Sequence, residues 1–471
     1  MDVSATQADE VVLSVKEHVE AVRSGRLKAS QIVSEAIRRA KESRHLNAMI
    51  TIVDEVPKAV VESAASKPLA AFPIVIKDIV DVAGLPNTGG TPRLKNWVPA
   101  TDAPIVSRLK EAGAIVIGKA NLHELSFGIT SNNAAFGPVR NPYDPTMIAG
   151  GSSGGSAAVV GARVVAASIG GDTAGSNRIP GSLCGCVGFR PTVGRYPGRG
   201  VIPLCYTRDT LGIFARSVAD VTLLDPIVSE TRLETRPVGL AGKRLGVPRQ
   251  HFYENLDPQT AAVIEKSLAI LKDAGAVLIE VDLGEAAQTA TAVSVPSMLY
   301  ETFRDMSVYL ARHRCPIPPW EVVAEMAGKT EREMLSEEIW GNATPTADYN
   351  DIIAKSRPAV LNAYRERFRA DKLDALVLPT TPLPARPVGD EETVELNGKR
   401  VSTFSAYLQN TDATAFCGMT SISVPAGLTD AGLPVGLSFD ALPGGDAMLL
   451  SIAGAYEKSR PCVPAPKRAN G

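Results

Sequence analysis

The sequence is poor in the features that mark most metal, membrane and nucleic-acid proteins. Its six cysteines are Cys184, Cys186, Cys205, Cys315, Cys417 and Cys462; none forms a C-x-x-C pair, and Cys184 and Cys186 are wrongly spaced for a zinc knuckle. The expectation is no metal, no cofactor, and buried reduced thiols of a cytoplasmic protein. Long hydrophobic runs are missing too. The most apolar candidate, residues 156–170, is short for a membrane span and carries Arg163. The opening MDVSATQADEVV has no basic stretch followed by an apolar one, so no secretory signal is expected. Charge of one sign is also lacking: a net charge of −2 gives no basic face for nucleic acid and none for an acidic membrane. The expected partners are a small molecule and, for assembly, a second copy of the chain.

Glycine (40) and proline (34) are plentiful but scattered between apolar runs, with no low-complexity tract and no internal repeat. At 471 residues, 45% hydrophobic and 21% charged, the chain can bury an ample core. Residues 8–44 read as two helices. Val11, Val12, Val15 and Val19 recur at helical spacing, then Ile32, Val33, Ile37 and Ala40; Ser24-Gly25 breaks them and Ser30 is a candidate N-cap. PIVIKD then reads as a strand ending in Lys77, residues 103–112 as a helix, and AIVIGKAN as a buried strand. KRLGVP, a helix over 258–275 and AVLIEVDL repeat the pattern, LDALVLP and SISVPAG are expected to close the sheet, and a last helix spans about 445–457. Alternating helices and short apolar strands predict an α/β fold: a central mixed, largely parallel sheet with helices on both faces, in a single large domain over 1–471. Residues 286–372 read as mainly helical and carry Tyr300, Phe303, Tyr309, Trp320 and Trp340; they are either substrate-facing or helix-packing core.

The stretch over residues 150–181 holds two serine-bearing glycine turns around a small-residue apolar segment. Gly150, Gly151, Gly154 and Gly155 flank Ser152 and Ser153; Gly170, Gly171 and Gly175 lead to Ser176. Such turns can bring two hydroxyls and a row of backbone N–H groups together. A serine needs a base to become a nucleophile, and Lys77 is the candidate. Lysine in water titrates near ~10.4, so it is a base only where burial penalises its charged form.

Three segments carry a family resemblance: PIVIKDIVDVAGLPNTGG from Pro73, GPVRNPYDPTMIAGGSSGGSAA from Gly137 and GGDTAGSNRIPGSLCGCVGFRPT from Gly170. They resemble the amidase signature family of serine hydrolases, with a signature core over about 70–225 and matching segments through to SISVPAG. The resemblance implies the amidase signature fold and a triad: Ser176 as nucleophile, Ser152 as bridging serine on a cis peptide bond, and Lys77 as base. On that reading the backbone N–H groups of Thr173, Ala174, Gly175 and Ser176 would face the developing oxyanion. Ser126 and Phe127 fall where the family lines its substrate channel. Gly171, Ala174, Asn177 and Gly181 depart from the commoner pattern, and Asn177 puts an amide beside the nucleophile, either for substrate or for the turn. Arg178 and Asp172 match the family and are expected to brace the loop.

Rival readings of the same residues are weaker. Gly151-Ser-Ser-Gly-Gly155 matches G-x-S-x-G formally, but it follows a Pro/Asn-rich loop, and only His251 and His313 lie downstream. Gly113-x4-Gly118-Lys119 lacks the Ser or Thr of a phosphate loop, and its interior is strand-like. His123, in KANLHELSFG, is a possible base but is expected to be structural. NLHELSFGITSNN, GFRPTVGRYPGRGVIP and TRDTLGIFARSVADV look especially like the family's indoleacetamide and mandelamide hydrolases, which implies cleavage of a primary arylacetamide to acid and ammonia. Anilides, carbamates or esters, a tRNA-dependent amidotransferase subunit, and a binding protein on a hydrolase fold are the alternatives.

Overall fold

The structure, a computed structural model, describes residues 12–229, 235 and 238–467. The part of the first expected helix that includes Val11 lies outside these. Helix α1 (Val15–Arg23) opens on a capping box between Ser14 and Glu17, and α2 covers Ala29–Glu42. Ser30 is not the cap of α2. The helix starts at Ala29 after Lys28, because Ala29 is buried on the same face as Val33 and Ala36 and draws the first turn back past the serine.

One eleven-stranded sheet runs through the molecule, beside two small hairpins. Its strands in chain order are β1 (Met49–Ile52), β2 (Phe72–Lys77), β3 (Ala114–Ala120), β4 (Ala167–Asp172), β5 (Val187–Arg190), β6 (Thr210–Ala215), β7 (Arg244–Val247), β8 (Val277–Glu280), β9 (Ala375–Pro379), β10 (Thr420–Leu428) and β11 (Pro434–Ala441). The spatial order is β1-β3-β2-β4-β6-β5-β10-β11-β9-β7-β8. The expected mixed sheet is present, but it is not largely parallel: among the described residues four of its ten strand pairings are parallel and six antiparallel. Parallel pairing belongs to its two wings, where β2 lies between β3 and β4, and β7 between β9 and β8. The centre, β4-β6-β5-β10-β11-β9, is antiparallel throughout. The segments expected to close the sheet, β9 and β10, lie inside it and are almost wholly buried. The closing strands are the four-residue β1 and β8, whose residues are part-exposed. A strand covered on both faces and flanked on both sides reads as a continuous apolar run, which says nothing of its place in the order.

Further helices cover the sheet: α3 (Pro104–Glu111), α4 (Gly154–Gly161), α5 (Arg178–Leu183), α6 (Pro258–Asp273), α7 (Gly284–Arg312), α8 (Lys329–Gly341), α9 (Arg357–Ala370) and α10 (Asp446–Ser459). Among the described residues no helix is long and apolar enough to cross a membrane. Helix α4 is buried on every side, which only its small residues permit. A Cβ on Gly155 would stand 2.3 Å from the carbonyl oxygens of both Ala48 and Asn121. These contacts fix the start of α4, and so the turn before it, against the ends of β1 and β3.

Gly155→Ala is therefore expected to lower stability by about 2 kcal/mol or more, since the clash is with backbone. Gly198→Ala, where an added Cβ meets nothing within 4 Å, should stay within about 0.5 kcal/mol. Chemical denaturation of the two variants checks the contrast.

Candidate active site

Strand β2 delivers Lys77 to the middle of the molecule, 1% exposed, with Nζ 2.7 Å from Oγ of Ser152. The peptide bond between Gly151 and Ser152 is cis, as the family resemblance implied. The Ser152 carbonyl accepts from the backbone N–H of His123 (3.0 Å) and from Oγ of Ser131 (3.1 Å), and Ser131 Oγ in turn accepts from Gly154 N–H. The second serine turn is tied to the first. Ser153 N–H donates to the Ser176 carbonyl at 3.3 Å, and Ser153 Oγ donates to the Gly171 carbonyl at 2.9 Å. Ser176 is 7% exposed and Ser152 fully buried; among the described residues no hydrogen bond joins their two hydroxyls. Ser153, the residue a nucleophile elbow would use, is sealed in by its bond to Gly171.

Burial pulls Lys77 down from 10.5 to about 7, against the charges of Asp209 and Asp172, which favour its protonated form. Near neutral pH much of this amine is therefore uncharged and able to accept a proton.

The Ser176 turn is wound around Asp172. Its carboxylate accepts from the backbone N–H of Gly175 (2.8 Å) and Asn177 (3.1 Å), from Nε and Nη2 of Arg178 (both 3.1 Å), and from Nη1 of Arg190 (3.1 Å). Burial alone would raise this carboxyl, but the two arginines outweigh it and hold Asp172 well below the usual carboxylate range. The arrangement corrects one expectation. Gly175 N–H is committed to Asp172 and does not face a substrate, whereas the N–H groups of Thr173, Ala174 and Ser176 have no acceptor among the described residues. Gly175 itself sits at φ +140°, and a Cβ there would meet Thr411 Oγ1 at 2.2 Å, so the turn admits no side chain at that position. The two roles open to Asn177 are also separated. Its amide is buried, donates to the Phe189 carbonyl at 3.0 Å and threads between Gly170 and Gly212, so it serves the turn and not a ligand.

A cavity of about 340 Å³ opens onto Lys77, Gly171, Asp172 and Thr173. Its walls are Ile79, Val201, Ile202, Leu204 and Leu211, with Ser126, Tyr196, Tyr206, Asp209 and Arg357 among the other lining residues. Ser126 is among its lining residues; Phe127 is not, and packs into the main core instead. The aromatics of residues 286–372 do not line it either. Tyr309 is buried with its hydroxyl donating to Asp81, Tyr300 stacks on Tyr349, and Trp320 and Trp340 are exposed. What α7 contributes is anchorage. Glu301 accepts from the N–H (3.0 Å) and Oγ1 (2.8 Å) of Thr207, Thr302 Oγ1 donates to the Leu204 carbonyl (2.9 Å), and Asp305 accepts from Tyr206 N–H (2.9 Å). Sequence reasoning does not pick out residues 193–211 as a wall, although most of the stretch lies in the GFRPTVGRYPGRGVIP and TRDTLGIFARSVADV segments singled out for their resemblance. His123 is structural: Nε2 lies 3.1 Å from Glu331 Oε1, and the ring packs over Gly128.

Comparison with known proteins decides the family. The Amidase family profile matches residues 31–450. The chain belongs to the amidase family. It is 37% identical to an indoleacetamide hydrolase from Agrobacterium vitis over 453 residues, 95% of this chain and 97% of that one. It is 35% identical to a mandelamide hydrolase from Pseudomonas putida, with 97% and 93% covered. Among solved structures, an amidase crystal structure superposes with a TM-score of 0.85 at 31% identity, covering 95% of this chain and 100% of that one. The peptide amidase from Stenotrophomonas maltophilia superposes at 0.79 and 26% identity, with 96% and 98% covered. The protein is a hydrolase acting on amide C–N bonds.

Asp172→Asn leaves Arg178 and Arg190 without their shared counter-charge and is expected to cost about 3–5 kcal/mol at pH 7. A carboxylate held below its unfolded value stabilises above about pH 4 and loses that contribution as pH falls toward its folded value. The gap to the wild type should therefore narrow below about pH 4, as read by urea titrations at both pH values.

Proposed function

We propose that the protein hydrolyses a primary arylacetamide, of the indoleacetamide or mandelamide type, to the carboxylic acid and ammonia through a Ser–Ser–Lys triad. The observation that carries the reading is Lys77, drawn down to about 7 by burial and 2.7 Å from Ser152 Oγ. The neutral amine takes the Ser152 proton as Ser152 takes that of Ser176, and Ser176 Oγ adds to the amide carbonyl. The oxyanion is met by the N–H groups of Thr173, Ala174 and Ser176, in a turn that the Asp172 knot holds at Gly175 and Asn177. Collapse breaks the C–N bond, and the proton held by the relay leaves on the amine as ammonia. Water then adds to the acyl-Ser176 ester by the same relay and releases the acid.

The acyl group has a place in the cavity. Its 340 Å³ lies at the lower end of the range for small-molecule sites, about 300–1,000 Å³, and its aliphatic walls suit a flat apolar ring. The indoleacetamide and mandelamide hydrolases similar over nearly the whole chain support the same class. The reaction is assigned to the cytoplasm, in keeping with six unpaired cysteines.

Ammonia release from indoleacetamide, phenylacetamide, mandelamide, a short aliphatic amide and an anilide tests the reading. Turnover is expected for the aryl primary amides and lost in Ser176→Ala. Because the base works when uncharged, kcat/KM should rise with pH through about 7. Turnover of the anilide alone would discard the substrate. No turnover by folded protein would favour a component that works only in a complex; the glutamyl-tRNA(Gln) amidotransferase of Koribacter versatilis has a chain 32% identical to this one over 427 residues.

A further inference from the structure

Asp209 has no part in the mechanism above, yet it is part-buried and lines the cavity. The antiparallel pairing of β4 with β6, in which Asp172 faces Thr210, sets it beside the start of the Ser176 turn. Its Oδ1 accepts from Thr173 Oγ1 at 2.6 Å, and its Oδ2 accepts from the backbone N–H of Leu204 (2.8 Å) and Cys205 (2.9 Å). One carboxylate thus joins the turn that offers free N–H groups to the wall that encloses the acyl side of the cavity. Thr173 is the first residue of that turn, and the Asp172 knot does not reach its side chain: the knot grips Gly175, Asn177 and Arg178.

Asp209 and Lys77 line the same cavity. Of the charges acting on Lys77 that of Asp209 is the foremost, followed by Asp172. Asp172 is neutralised by Arg178 and Arg190, whereas the ion pair of Arg208, next to Asp209 in the chain, is with Asp412. Burial raises the Asp209 carboxyl, while its bonds to Thr173, Cys205 and Leu204 and the charge of Arg208 favour its ionised form.

We propose that Asp209 is a positioning residue with two duties: it clamps Thr173, and with it the first oxyanion donor, to the cavity wall, and it supplies the negative charge that Lys77 faces. The proposal rests on Lys77 acting as the base. Substitution separates the duties. Thr173→Val removes the hydroxyl and leaves the charge; Asp209→Asn keeps an acceptor and removes the charge.

The experiment is the pH dependence of kcat/KM for a primary arylacetamide in the wild type, Thr173→Val and Asp209→Asn, with thermal unfolding of each. Thr173→Val is expected to lose about tenfold or more in kcat, short of the roughly 10²–10³ for deleting an oxyanion donor outright, with its pH midpoint unmoved. Asp209→Asn should move the rising limb to lower pH by about one unit, because an amine without a facing carboxylate holds its proton less tightly. A purely structural role for Asp209 would lower the rate and leave the midpoint in place, which overturns the charge duty. Full activity in Thr173→Val overturns the clamp. Should Asp209→Asn not fold, Asp209→Glu, which keeps the charge, must retain the wild-type midpoint, and a shifted midpoint there overturns the proposal. A wild type with no ionisation near pH 7 removes Lys77 as the base and takes the charge duty with it, while Thr173→Val still decides the clamp.

Discussion

Everything in this site depends on keeping an amine dry. Lys77 is brought in on a strand buried on both faces, and the low polarity around it shifts the balance toward the uncharged form. A lysine on a surface strand would be protonated at neutral pH and useless as a proton acceptor. The demand shapes the rest of the fold. The strand must lie well inside the sheet, between β3 and β4, and the serine that receives the amine must arrive from a turn packed equally deep. Helix α4 can follow that turn only because it is made of glycine, alanine, serine and valine.

The same burial bears on the Ser176 turn, where the N–H groups of Thr173, Ala174 and Ser176 have no acceptor among the described residues. Unpaired backbone donors in a buried place are costly, at about 1–3 kcal/mol each. Asp172 offsets this by gripping the other N–H groups of the turn, those of Gly175 and Asn177, and is itself held ionised by Arg178 and Arg190. The buried ion cluster therefore chooses which donors are spent on structure and which stay free. A flexible loop could expose the same groups but would not keep them aimed.

Much of this is legible in the sequence. Lys77, Ser152 and Ser176 stand in short motifs whose glycines and flanking strands are local features, and most helices and strands follow from periodicity. The donor set is only partly readable because consecutive residues look equivalent in a string, and only the position of the Asp172 side chain separates Gly175 from its neighbours. The antiparallel centre of the mixed sheet is hidden for a related reason: a buried strand reads as apolar whichever way its neighbour runs. The family resemblance offers Phe127 to the substrate, and composition leaves the aromatics of residues 286–372 open between substrate and core. Burial in the core, as for Tyr309, or exposure, as for Trp340, is a matter of helix packing that residue type does not encode.

The helical segment nonetheless reaches the cavity, by a route that composition hides. Glu301, Thr302 and Asp305 on α7 hold the backbone of Leu204, Tyr206 and Thr207, so this stretch of the wall hangs from a helix that carries none of the reacting groups. The serine turns hang from the opposite side, on β2, β4 and α4. Asp209 touches the wall and the Ser176 turn together, and Arg190 joins Asp172 to the Arg208 carbonyl in the same stretch. On the proposed reading, a change at Asp209 bears on how the carbonyl is met as well as on which acyl group fits.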